Sequence, residues 1–233
     1  TLTETADPHA LVKQLNEYFE EMVSIVFANQ GTLDKFIGDA VMAFWGAPSP
    51  NPDHAADCCR AALACRRAVG EAGLVDDHGQ PVKIRIGINS GDMLVGNIGS
   101  EVRLNYTVIG DAVNIASRLE STNKVYGSTI IIGPETRRLA GDRIVVRELD
   151  RLAVYGRAGG LQIYELLGMA GEFDARPERP RHDVRENARG QQHGVDQTDS
   201  DVMLHQRTHA HGRAGDDALT HLHARFLHRR AQQ

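Results

Sequence analysis

Residues 31–48, Gly-Thr-Leu-Asp-Lys-Phe-Ile-Gly-Asp-Ala-Val-Met-Ala-Phe-Trp-Gly-Ala-Pro, constrain this chain more than any other stretch. Apolar Leu33, Phe36 and Ile37 lead into Gly38-Asp39, and Ala40 to Trp45 runs on as an apolar strand. Gly-Asp belongs to the permissive dipeptides that turn hairpins, so the pattern predicts two antiparallel strands around it. The tip then holds a carboxylate, Asp39, four residues from an ammonium, Lys35. Side chains flanking a hairpin tip can face one cleft, which would present an acid and a base together. Taken alone, such a tip is ordinarily a solvated turn.

The elements around the hairpin follow in order. Asp7-Pro8 opens a helix as N-cap and first helical residue. Leu11, Leu15, Phe19, Met22, Val23 and Val26 give it a buried stripe at three- and four-residue steps. Asn51-Pro52-Asp53 opens a second helix whose small residues, Ala55, Cys58, Cys59, Ala62 and Cys65, suit close packing on a sheet. Residues 82–89 alternate apolar and polar and predict a strand open on one side. A turn at Ser90-Gly91-Asp92 and a short return strand over Met93–Val95 come next. Gly96 to Ser100 reads as a mobile loop, its two glycines being a weak phosphate-loop signal. A helix from Asp111 to about Thr122, a strand over Thr129–Ile132, a short helix over Pro134–Leu139 and two closing strands complete the pattern. Strands and helices alternate with hairpins inserted, which predicts a mixed sheet with helices packed on one face.

A chain of 233 residues with net charge −5 lacks the basic face of a nucleic-acid binder. Its three cysteines, Cys58, Cys59 and Cys65, fall in one predicted helix without metal or redox spacing, and read as core residues in a reducing cytosol. No apolar run reaches the ~18–20 residues of a membrane span, and no signal peptide opens the chain. The segment therefore reads as soluble and cytoplasmic, with no membrane contact of its own. From about Met169 the pattern stops. Residues 169–233 hold eight of the eleven histidines, many arginines and little aliphatic periodicity, so a disordered tail is expected. Its histidines are weak evidence for a metal, and the abrupt change of character also resembles a reading-frame error.

A second cluster spans Asn105 to Glu120. Asn114 and Arg118 stand at i and i+4 of one predicted helix and share a face. A guanidinium fork beside an amide suits a phosphate and a sugar oxygen. The alternative is an exposed helix face with Arg118 paired to an acid on a neighbouring segment.

Together, D-K-F-I-G-D-A-V-M-A-F-W-G-A-P and Y-T-V-I-G-D-A-V-N-I-A-S-R-L-E resemble the catalytic domain of class III nucleotidyl cyclases, and most of all bacterial adenylate cyclases. The resemblance extends to L-N-E-Y-F, I-R-I-G-I-N-S-G, R-E-L-D-R-L and I-Y-E-L-L, and so covers residues 1–168 but not 169–233. It implies a ferredoxin-like α+β domain with a mixed, mostly antiparallel sheet, working as a homodimer with active sites at the interface. It also implies that ATP is converted to cyclic AMP and pyrophosphate with two divalent ions, Mg2+ or Mn2+, per site. Asp39 matches one of two metal-binding aspartates. Lys35 matches a purine-reading position and, as lysine rather than glutamate, points to ATP; Thr107 matches the second such position. Asn114 and Arg118 match the residues that orient the ribose and stabilise the transition state.

Two departures from the family pattern bear on activity. The strand F-x-D-I-x-G-F-T, which carries the other metal aspartate, is not found ahead of Leu2-Thr3-Glu4. The sheet is therefore expected to lack its first strand, and the chain by itself to be inactive or nearly so. Tyr155 stands where many relatives place a phosphate-binding lysine, with Arg157 as the candidate substitute. The alternatives are a guanylate cyclase, disfavoured by Lys35 and Thr107, and a non-catalytic nucleotide-binding or dimerisation module.

Overall fold

The Gly31–Pro48 stretch folds as the hairpin its pattern requires. The computed structural model describes residues 8–73, 81–152, 160–172, 202–206 and 222–227. Helix α1 (Pro8–Ala28) leads into β1 (Thr32–Ile37) and β2 (Ala40–Phe44), paired antiparallel. Gly38 turns the tip at φ 63°, a conformation costly for residues with a Cβ. Phe44 and Trp45 are fully buried, and Trp45 Nε1 donates to the Asn29 carbonyl at 2.6 Å. Gly31 makes room for that indole: a Cβ there would lie 2.6 Å from the ring and from Val26. The hairpin is thus clamped to the end of α1.

Helix α2 (His54–Glu71) buries Cys58, Cys59 and Cys65 as free thiols, as its small residues predict. Strand β3 (Ile86–Ser90) is buried at every position, which corrects the expectation of one open side. The polar alternation that suggested it comes from Lys83 and Arg85, which precede the strand. Arg85 instead approaches buried Glu120 at 3.6 Å. The main sheet continues through β6 (Ile130–Ile132), which is parallel to β3, to β8 (Leu161–Met169) and then β7 (Ile144–Leu152).

Helices cover both faces of this sheet, not one. Successive strand residues point to opposite sides, and both sides are buried along β3 and β6. Ile86, Ile88, Ile130 and Ile132 join the core under α1 and α2. Ile131 and Ile163 pack with Ile115 and Leu119 of α3 (Asp111–Tyr126). Gly87 allows α3 to lie that close, since a Cβ at 87 would sit 2.1 Å from the Ala116 carbonyl oxygen. A short helix α4 (Pro134–Ala140) follows β6.

Strands β4 (Leu94–Ser100) and β5 (Arg103–Ile109) form a separate two-stranded ribbon. The loop expected at Gly96–Ser100 is part of β4. Its glycines are weak strand formers, but pairing with β5 overrides them: Gly96 faces Thr107, and Gly99 faces Leu104 where the chains approach too closely for a Cβ.

The segment expected to be disordered also contributes strands. Strand β9 (Val202–Gln206) runs parallel to β3, and β10 (Leu222–Leu227) runs antiparallel to β2. β9 also registers with β2 between Met42 and Phe44, so both strands fall in the slot between β2 and β3. V-M-L-H-Q and L-H-A-R-F-L are short, partly apolar runs, and the facing edges of β2 and β3 offer unpaired backbone groups to any such run. Most strand pairs among the described residues are antiparallel, and the mixed α+β class agrees with expectation. No helix among the described residues is long and apolar enough to cross a membrane.

Candidate active site

The two motifs meet at Lys35 and Thr107. A β-bulge in β1 makes this possible: Leu33 registers with Ala43 and Lys35 with Met42, leaving Asp34 as the extra residue. In a regular strand Asp34 and Lys35 would point to opposite faces; a bulge re-aims them. Both then reach Thr107, which is buried on β5. Lys35 Nζ donates to Thr107 Oγ1 at 2.9 Å, and Thr107 Oγ1 donates to Asp34 Oδ2 at 2.6 Å. The triangle closes with Lys35 Nζ 3.1 Å from Asp34 Oδ1. The Asp34 side chain is fully buried, whereas Lys35 is 40% exposed, so the cluster has a fixed anionic base and an accessible cationic rim.

Asp39 sits half-buried at the tip, in the Gly38-Asp39 turn. Burial pushes the Tyr18 hydroxyl well above its ordinary range, and the Cys65 and Asp39 charges add to the effect. Among the described residues no group of three His, Cys, Asp or Glu side chains is placed to hold a metal ion. A divalent magnesium or calcium ion takes six or more oxygen ligands, with carboxylates as its usual protein anchors. One carboxylate from the described residues does not by itself fit a pair of such ions.

Asn114 and Arg118 are both exposed on α3, while their neighbours Ile115 and Leu119 are buried. Arg118 is in no ion pair among the described residues. Arg157 and Tyr155 lie outside the described residues. Asp34 carries no sign of this contact in the sequence, because a bulge depends on cross-strand register and leaves little local mark. A separate cavity of about 320 Å3, lined in part by Asn89, Ser90, Asp92, Asp111 and Glu135, contains none of the candidate residues.

Residues 1–168 match the family model described as the adenylate and guanylate cyclase catalytic domain. The chain is 37% identical over 171 residues to adenylate cyclase 1 of Rhizobium meliloti, across 72% of this chain and 26% of that protein. The chain therefore spans about a quarter of that relative's length. Its fold is similar to the adenylyl cyclase CyaB from P. aeruginosa, with 35% identity and a TM-score of 0.64, covering 74% of this chain and 90% of that one. The guanylyl cyclase Cya2 is also similar, at 34% identity and a TM-score of 0.60, covering 74% and 87% of the two chains.

Proposed function

This chain belongs to the adenylate and guanylate cyclase catalytic domain family, and from that premise we propose that its site cyclises ATP to cyclic AMP. The observation that carries the choice of purine is the Lys35–Thr107 hydrogen bond, which joins the two motifs in one spot. An ammonium beside a hydroxyl offers a purine edge one donor and one acceptor. In the reaction the ribose 3′-oxygen forms a bond to the α-phosphorus, the bond to the β-phosphate oxygen breaks, and pyrophosphate leaves. The 3′-hydroxyl proton passes to solvent.

Asn114 orients the ribose and Arg118 meets the charge gathering on the phosphoryl group. Their exposure supports a site completed across an interface. So do the exposed apolar residues Phe36 and Ile37 on β1 and Leu94, Leu104 and Ile109 on the β4–β5 ribbon, which suit a second copy of the chain. Arg157 is assigned to the polyphosphate from the sequence alone. The family implies two divalent ions, Mg2+ or Mn2+, which would stabilise the reacting oxygens when bound; Asp39 is the residue here matched to them, and by itself it does not fit the pair. Because no group of three His, Cys, Asp or Glu ligands stands together among the described residues, the chain by itself is expected to turn over little ATP.

The same observation favours a second reading, in which the chain binds nucleotide without converting it. Cyclic AMP and cyclic GMP formation by this chain, and by a version extended upstream with the aspartate-bearing strand, separates the two with Mg2+ and Mn2+ supplied in turn. Cyclic AMP from the extended protein supports the enzyme. Nucleotide binding with no product from either supports the binding module, and dominant cyclic GMP overturns the choice of purine.

A further inference from the structure

The Lys35–Thr107 pair does not stand alone; the buried Asp34 carboxylate decides which way its hydrogens point. A carboxylate accepts and does not donate, so the 2.6 Å contact must use the one Thr107 hydroxyl hydrogen. Thr107 Oγ1 also accepts from Lys35 at 2.9 Å, which takes one of its lone pairs. The remaining lone pair leaves Thr107 an acceptor toward any ligand. Lys35, with one hydrogen on Thr107 and its ammonium 3.1 Å from Asp34 Oδ1, keeps a hydrogen to donate outward.

We propose that Asp34 is a specificity-determining positioning residue: by holding the Thr107 hydroxyl proton, it makes the pair accept a 6-amino purine and reject a 6-oxo purine. The inference rests on the reading of Lys35 and Thr107 as the purine readers. A 6-amino purine presents a donor at its C6 substituent and an acceptor at N1, matching Thr107 and Lys35 in turn. A 6-oxo purine in the same pose sets an acceptor against Thr107 and a donor against Lys35. A free threonine hydroxyl would rotate and donate to that oxygen, removing half of the mismatch. With its proton committed to a fully buried carboxylate, Thr107 has no such freedom. The bulge that leaves Asp34 unpaired in the β1–β2 register is what allows the carboxylate to turn toward Thr107.

The experiment is equilibrium binding of ATP and ITP to the full chain, ITP being the 6-oxo purine without the 2-amino group of GTP. Asp34→Asn keeps the shape but can donate an amide hydrogen to Thr107, which frees the hydroxyl to donate. The ATP-over-ITP preference is expected to fall by about tenfold, the worth of one hydrogen bond. Thr107→Ser keeps the committed hydroxyl and is expected to retain the wild-type ratio. Adding Asp34→Asn to Thr107→Val is expected to change the ratio no further. An unchanged ratio in Asp34→Asn, or equal loss of both ligands, would reduce Asp34 to scaffolding and overturn the proposal. A Thr107→Ser chain that takes ITP as readily as ATP overturns it too, even should Asp34→Asn fail to fold. Wild-type chain that binds neither nucleotide removes the purine-site reading itself, and the proposal with it.

Discussion

Lys35 and Thr107, 72 residues apart, share a hydrogen bond of 2.9 Å between a hairpin strand and the β4–β5 ribbon. Their meeting gives the first prediction. Lys35→Glu replaces the outward donor with an acceptor and sets a second carboxylate beside Asp34. ATP affinity is expected to fall by roughly tenfold to a hundredfold, the range for a hydrogen bond to a charged group, and GTP to gain relative to ATP. Competition between the two nucleotides measures this, and undiminished preference for ATP would count against Lys35 as a purine reader.

Arg118 gives the second. It is exposed and in no ion pair among the described residues, so removing it should shift folding stability by no more than about 0.5 kcal/mol. In the transition state a preorganised donor at the phosphoryl oxygens is commonly worth ~3–4 kcal/mol. Arg118→Ala should therefore lower turnover by two to three decades with little change in KM, under conditions where wild type makes cyclic AMP. Arg118→Lys keeps the charge without the planar fork and should recover only part of the rate. Unchanged turnover in the alanine variant rules out a transition-state role.

What the sequence disclosed and what it hid divide along a physical line. The hairpin, α1 and α2 were legible because period-2 and period-3.6 patterns and turn residues are local. Asn114 and Arg118 could be singled out by residue type and spacing, Lys35 by its place near the hairpin tip, and Thr107 only through the family resemblance. The bulge at Asp34 could not, because it exists only as a difference in register between β1 and β2. Nor could the burial of β3 on both faces, which depends on α3 resting against Gly87. The extension of β4 through Gly96 and Gly99 was hidden for the same reason: β5 supplies the pairing that these residues do not favour alone. Strands β9 and β10 lie in a segment of unpromising composition, and their place is set by the open edges they meet.

The buried thiols and phenols make stability fall on the alkaline side. Burial pushes the Cys59 thiol from 9.0 up to about 12, against the opposing pull of Arg143 and Arg60. Burial and a hydrogen bond to Asp150 raise Tyr126 from 10.0 to about 12. For each, the unfolded chain gives up its proton first. These two groups therefore leave folding undisturbed below about pH 9, and cost it stability as pH rises from there through 12. For Cys59 the loss by pH 12 is on the order of 4 kcal/mol, from the energy equivalent of a displaced pKa. Urea midpoints from pH 7 to 11 should decline for wild type. Cys59→Ala should start about 1 kcal/mol lower, from the small cavity it leaves, but decline less steeply. Parallel curves would mean that Cys59 does not titrate between the two states.

The slot between β2 and β3 yields the last prediction. On the β2 side, residues 40–43 pair with β10; on the β3 side, residues 86–90 pair with β9. Both β2 and β3 are buried at every position, so losing their neighbours exposes apolar side chains together with two rows of unpaired backbone groups. Deleting residues 173–233 should therefore speed amide hydrogen exchange in peptides covering residues 40–44 and 86–90. Peptides from β7 and β8, which pair with each other at the far edge of the sheet, serve as the internal control and should change much less. The truncated chain should also self-associate, because facing sheet edges template pairing between molecules. A synthetic peptide of residues 202–206, added to the truncated chain, should restore part of the protection if β9 is the strand that fills the slot. Equal protection before and after truncation would show that β9 and β10 contribute nothing to the sheet in solution.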